Sequence, residues 1–145
     1  MRLMIARFAS LLRRLAACRN GSNAFELAII LPVLTLMVVG AVYAGWMLFS
    51  TNMLFYAVES AARCASVNTT TCGGASQSAQ VTNVKAYAVT QAMGLNVTAA
   101  SFTVTQPANG CGWQVTGTYP FTFMMPFTAS NPVFTITASA CFPVD

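Results

Sequence analysis

The residues able to do chemistry in this chain are few. There are three carboxylates (Glu26, Glu59 and Asp145), seven cations, five cysteines and no histidine. Without histidine the commonest general base and the commonest metal ligand are missing. Glu59 stands four residues before Arg63, the spacing of a supporting helical pair, and that explains it better than catalysis does. Asp145 is terminal, and Glu26 opens a long apolar run. The cysteines, at 18, 64, 72, 111 and 141, are the remaining reactive groups. Soft thiolates bind zinc, but no Cys-x-x-Cys spacing is present to hold it. No catalytic, cofactor or metal site is expected, and the chain reads as a non-enzyme.

Glu26 is the most telling of these groups, because of what surrounds it. A carboxylate at the edge of an apolar span is costly and is normally paired. A plainer reading places it at headgroup level near a helix N-terminus, where the helix dipole favours it. It is the fifth residue after Gly21, which closes the basic stretch ending Arg19-Asn20-Gly21.

Composition says which elements must position it. Of the 145 residues 56% are hydrophobic and 7% charged, against about 25% charged in an ordinary soluble domain. Something other than water solvates part of the chain, which is long enough for one small domain plus an anchor. The net charge of +4 belongs to the beginning: Arg2, Arg7, Arg13, Arg14 and Arg19 all precede Gly21. That asymmetry argues for orientation in a membrane with the N-terminus cytoplasmic, and not for nucleic-acid binding.

Three units follow. Residues 1–21 form a basic leader, with apolar residues and arginines mixed as in an amphipathic helix on an anionic surface. Arg7, Arg13 and Arg14 break every apolar core that an ordinary signal peptide needs. The same arginines deprive Leu15-Ala16-Ala17-Cys18 of the context of a lipoprotein box. A transit peptide fits the composition, but a spanning segment directly behind it does not. Residues 22–65 form one helix, started by the Asn20–Asn23 break and uncharged from Leu27 to Val58. Crossing ~30 Å of hydrocarbon takes about 20 residues, so the first half spans and the second must emerge and pack on something. Pro32 should kink this helix or leave a carbonyl unpaired.

Residues 66–145 read as a head, with a helix at about 77–93 closed by Gly94 and strands at about 101–105, 112–123 and 133–142. The alternations Phe102/Val104, Val115/Gly117/Tyr119 and Phe134/Ile136/Ala138 give a sheet with one buried face. The fold class is α+β: a long N-terminal transmembrane helix with a small C-terminal antiparallel sheet domain. Small residues at Gly40, Ala41, Ala44 and Gly45, continued by Ala57, Ala61 and Ala65, would let helices of neighbouring subunits approach closely. Tyr43 and Trp46 suit interfacial anchors or inter-subunit packing. Two sequons, at Asn68 and Asn96, are more simply threonine-rich β-formers.

A basic leader ending in glycine, a glutamate five residues on and a long apolar helix resemble a type IV pilin-like precursor. The stretch GSNAFELAIILPVLTLMVVGAVYAGWMLF, followed by Asn52 and AVESAARCA, is similar to the TadE-type pseudopilin domain of the tight adherence (Tad, or Flp) pilus system. The resemblance covers roughly residues 19–66. It implies a prepilin peptidase that cuts between Gly21 and Ser22, and a role for Glu26 in processing or subunit entry by meeting a neighbour's N-terminal amine. It implies other pilin subunits and the Tad assembly machinery as partners, a single pass through the bacterial inner membrane, and a head outside the cytoplasm or in the pilus. Two positions depart from the family pattern: Phe25 precedes the glutamate instead of following it, and Ser22 would be the new N-terminus.

Such a cut removes Cys18 and leaves an even set, Cys64, Cys72, Cys111 and Cys141, on the side where disulfides persist. Three pairings are possible. Cys64–Cys72 with Cys111–Cys141 is favoured, since it closes a short loop after the helix and ties the second strand to the last. The expected function is that of a pseudopilin or minor pilin in pilus assembly or initiation, serving adhesion, with no small-molecule substrate. The alternative is an uncleaved single-pass anchor whose outer domain binds a partner.

Overall fold

The computed structural model describes residues 22–67, 70–106, 111–123 and 131–143. The basic leader, Gly21 and Asp145 lie outside the described residues. In order, the elements are helix α1 (Ser22–Val67), helix α2 (Gln77–Gln91), a 3-10 turn (Ala99–Ser101), and strands β1 (Phe102–Thr105), β2 (Trp113–Thr122) and β3 (Val133–Phe142). The architecture is α+β: a long apolar helix, a second helix and a small antiparallel sheet. The chain divides into two compact units, one ending at Val42 and one running from Tyr43 to Asp145.

The described part of the first unit is the start of α1. From Phe25 to Val38 every side chain is exposed, and most are Leu, Ile, Val or Met. In water a helix of this composition would have no stable face. The uncharged run makes α1 a candidate membrane span, and none of its most apolar window is buried within the chain. Pro32 sits inside the helix, which continues through it. Lacking an N–H, it offers no donor to the carbonyl of Ala28. The Thr35 hydroxyl donates to the Leu31 carbonyl at 2.7 Å, so that its proton needs no partner elsewhere.

The second unit is built around the rest of α1. Leu54, Ala57, Val58, Ala61 and Ala62 have no exposed surface. They join Val84 and Ala88 of α2 and Phe102, Val115, Phe121, Ile136 and Ala138 of the sheet in one core. Burying side chains such as Leu54, Val58, Phe102 and Val115 stabilises by about 1.5–3 kcal/mol each. Close approach of α1 to the sheet depends on Gly117. A Cβ there would lie 2.9 Å from Val58 Cγ1 and 3.0 Å from both Leu54 Cδ1 and Phe102 Cε1.

The strand order is β1-β2-β3, antiparallel throughout, with Phe102 opposite Gly117 and Val115 opposite Ala140. The inner face is apolar. The outer face carries Gln114, Thr116 and Ser139, whose side chains hydrogen-bond across β2 and β3. Pro120 occurs in the central strand, at a level where β2 has one neighbour only, since β1 pairs with Gln114–Gly117. It therefore removes no bond to β1.

Side chains close the chain reversal after α1. Gln80 donates through Nε2 to the Ala65 carbonyl at 3.0 Å, covering one acceptor of the last helical turn. Ser76 caps α2 by accepting from the Ala79 N–H. Cys64 and Cys72 are bonded across the reversal with a Cα–Cα distance of 5.8 Å, and Cys111 and Cys141 across the sheet edge with 5.9 Å.

Several expectations change. Helix α1 runs to Val67 instead of 65, and α2 stops at Gln91 instead of 93. The C-cap is Ala92, and Gly94 supplies a positive φ of +83° two residues later, against the ring of Phe49. Phe134 belongs to the inward-facing set by alternation but is 54% exposed: it stands on the edge strand β3, while Phe121 opposite it on β2 is buried. The stripe Ala57, Ala61 and Ala65 is covered by the chain's own core and not left for a neighbouring subunit. Among the described residues Glu59 and Arg63 form no ion pair. Both are exposed, where water competes with such a contact.

Candidate processing and assembly segment

The residues singled out for processing lie at the beginning of α1. Ser22 is the first helical residue, and Glu26 follows at i+4, one turn along the same side. Gly21 lies outside the described residues. Glu26 is exposed and falls just after the first turn, which itself carries no acid. The helix dipole acts strongly only within that first turn, so the dipole explains little of why a carboxylate stands here. Glu26 shares a shallow groove with Leu27, Ile30, Leu31 and Leu34. The residues i+4 and i+8 from it are therefore Ile30 and Leu34, and nothing polar further along that stripe of the helix offers it a partner.

A lone carboxylate at the head of an apolar stripe is chemically simple. It can accept hydrogen bonds from, or pair with, a cation brought to it. It has no second acid or base to work with. Among the described residues there is no cluster of His, Cys, Asp or Glu suited to a metal ion. The head has a polar depression lined by Ser60, Arg63, Cys64, Val67 and Tyr87. It brings a single cation beside a bonded cysteine and a phenol, which is no nucleophile–base pair.

Gly40 and Gly45 are open, with nothing within 4 Å of a Cβ built at either. Tyr43 is not free as an anchor. Its ring packs on Phe123, the residue after β2, with centroids 4.5 Å apart and planes tilted by 44°. The adjacent Trp46 is about half exposed and lies 5.5 Å, ring to ring, from Phe49. The link between Tyr43 and Phe123 was invisible in the sequence. The signal available was only that both are aromatic at the limit of an apolar element.

A family model described as TadE-like protein matches residues 21–63. The match begins at the glycine, takes in Glu26 and Pro32, and ends at Arg63, one residue before the first head cysteine. No curated protein and no solved structure matches the chain. Over residues 21–63 the chain is similar to that family, which is consistent with a TadE-type pilin-like protein of a Tad system.

Proposed function

We propose that the chain is a pseudopilin or minor pilin that takes part in assembling or initiating a Tad-type pilus. A single observation carries the reading: a carboxylate four residues into a helix whose following residues, to Val38, are exposed and, Thr35 apart, apolar. Such a helix is stable only in lipid or against other helices, and Glu26 is the one charge along it until Glu59. A prepilin peptidase cuts between Gly21 and Ser22 on the cytoplasmic face of the membrane. The freed amine of one subunit then gives Glu26 of another its missing cation as the helix joins the assembly. The head lies outside the cytoplasm, where the Cys64–Cys72 and Cys111–Cys141 bonds persist. No step in this requires turnover, so the protein works by assembly and presentation of its head.

Mass spectrometry of the membrane form is the test. The mature N-terminus should be Ser22, and a chain that retains Met1–Gly21 would instead be the uncleaved single-pass anchor. Replacing Glu26 by Ala should impair cleavage or piliation, and unchanged piliation refutes its assigned role.

A further inference from the structure

Within the head, α1 buries Leu54, Ala57, Val58, Ala61 and Ala62 and turns its other side to solvent. That side carries Phe55, Tyr56, Glu59, Arg63 and Val67, spaced by three or four residues and so lying in one stripe. Phe55, Tyr56 and Val67 are 48%, 53% and 71% exposed, and they flank the two charged positions one turn to either side. Such flanks offer apolar area to a partner, and the charges between them give the contact its direction.

Arg63 lines a depression with Ser60 of α1 and Tyr87 of α2. Among the described residues the Ser60 hydroxyl, the Arg63 guanidinium and the Tyr87 hydroxyl have no hydrogen-bond or ion-pair partner. Ser60 differs in this from Ser50, Thr51 and Ser66 of the same helix, which each donate to the carbonyl one turn back. Three donor groups thus line one hollow and lack an acceptor. A single cation balances a single negative charge. A phosphate monoester carries about −1.5 to −2 and would leave charge over. A carboxylate carries one, and its two oxygens suit a guanidinium fork and a hydroxyl together. An exposed arginine holds a free carboxylate weakly, because water and salt compete, so the acid has to come on a surface that brings other contacts with it. The head has such an acid: Glu59 is its one carboxylate among the described residues, exposed and without a cation.

We propose that the head binds a second copy of this chain by seating Glu59 of one copy in the depression formed by Ser60, Arg63 and Tyr87 of the other. The carboxylate gives the three donors their acceptor, and Phe55, Tyr56 and Val67 lose water at the border of the contact. Each copy holds both an acid and a seat, so every copy can give one contact and receive another. The inference rests on the folded head alone. Neither Glu26 nor the cut between Gly21 and Ser22 enters it, so it and the proposed function can fail separately.

The test uses the full chain in phosphatidylcholine vesicles, labelled at Lys85, its only lysine, with a donor or an acceptor dye, so that energy transfer reports association. Wild-type chains should show transfer. Glu59→Arg leaves two cations at the contact and Arg63→Glu leaves two acids, so each variant alone should associate about tenfold more weakly. An equimolar mixture of the two should recover to within about twofold of wild type, since every contact between unlike copies then joins opposite charges. A pair formed within one helix cannot give that recovery. Removing the two hydroxyls by Ser60→Ala with Tyr87→Phe should weaken association about threefold while leaving the charges in place. Thermal unfolding followed by Trp113 emission checks that the variants keep the fold. Wild-type chains that stay monomeric overturn the proposal and leave the seat to an acid of a different protein. A mixture no tighter than its components overturns it as well. So do charge variants that associate like wild type, which would mean that the copies meet through the apolar part of α1 alone. Association untouched by loss of both hydroxyls overturns the depression as the seat.

Discussion

Replacing Gly117 by alanine should destabilise the head by an amount its surroundings define. The added methyl would sit 2.9–3.0 Å from Val58 Cγ1, Leu54 Cδ1 and Phe102 Cε1. All three side chains have 0% exposure, so none can swing into solvent to make room. Overpacking of this kind costs about 1–3 kcal/mol. Alanine recovers part of that, since glycine within a strand is less favourable by ~0.5–1 kcal/mol. The net expectation is a loss of about 0.5–2 kcal/mol. Each kcal/mol lowers Tm by ~4–8 °C in a domain near this size. The assay is thermal unfolding of the full chain in detergent, followed by the emission of the buried Trp113. Val58→Ala in both backgrounds gives the second arm. With the Val58 methyls gone, Gly117→Ala should cost about 1 kcal/mol less, as neighbouring substitutions are non-additive. An unchanged or raised Tm in Gly117→Ala, or strict additivity with Val58→Ala, refutes the claim that α1 and β2 meet at this glycine.

Other outcomes follow from the closures of the head. Opening Cys64–Cys72 by double replacement with serine should cost about 2.5 kcal/mol, and opening Cys111–Cys141 about 3.6 kcal/mol, from loop lengths of 8 and 30 residues in the chain-entropy model. Denaturant unfolding of the two double variants checks the order, and the shorter loop proving the more costly would count against it. Ser76→Ala removes the cap of α2 and should cost about 1 kcal/mol, with Ser76→Asp close to neutral in the same unfolding assay.

Much of the fold was legible because the signals were local. The uncharged run after Glu26 set the long helix, and the alternation of Val115, Gly117 and Tyr119 set β2. What escaped depended on partners distant in the chain. Alternation places Phe134 inward, but whether inward means buried depends on how far across the sheet the core reaches, and at this level it takes in Phe121 of β2 and not its partner on β3. The alanines 57, 61 and 65 show only that something packs closely on that face. The sequence does not say whether a neighbouring subunit or the chain's own core does so, and the folded head supplies the core. The Glu59–Arg63 spacing permits an ion pair without requiring one, and at exposed positions the gain is too small to enforce it. Of the candidate site, the spacing of Gly21 and Glu26 was legible outright. The exposure of the stripe around Glu26 needed the fold, in which Leu27, Ile30, Leu31 and Leu34 are all exposed.

The hydroxyls of α1 bear on how this helix can move. Thr35, Ser50 and Thr51 each donate to the carbonyl one turn back, at 2.7–2.8 Å. Each of these polar hydrogens thus carries its acceptor with it. When such a helix leaves one apolar surrounding for another, these bonds are neither broken nor remade, so the exchange incurs no desolvation of hydroxyls. The exceptions are the carboxylate of Glu26 and the Ala28 carbonyl, to which Pro32 has no N–H to offer. Between Glu26 and Val42 these two groups, close together near the start of the helix, are the polar points at which lipid and protein neighbours would be told apart.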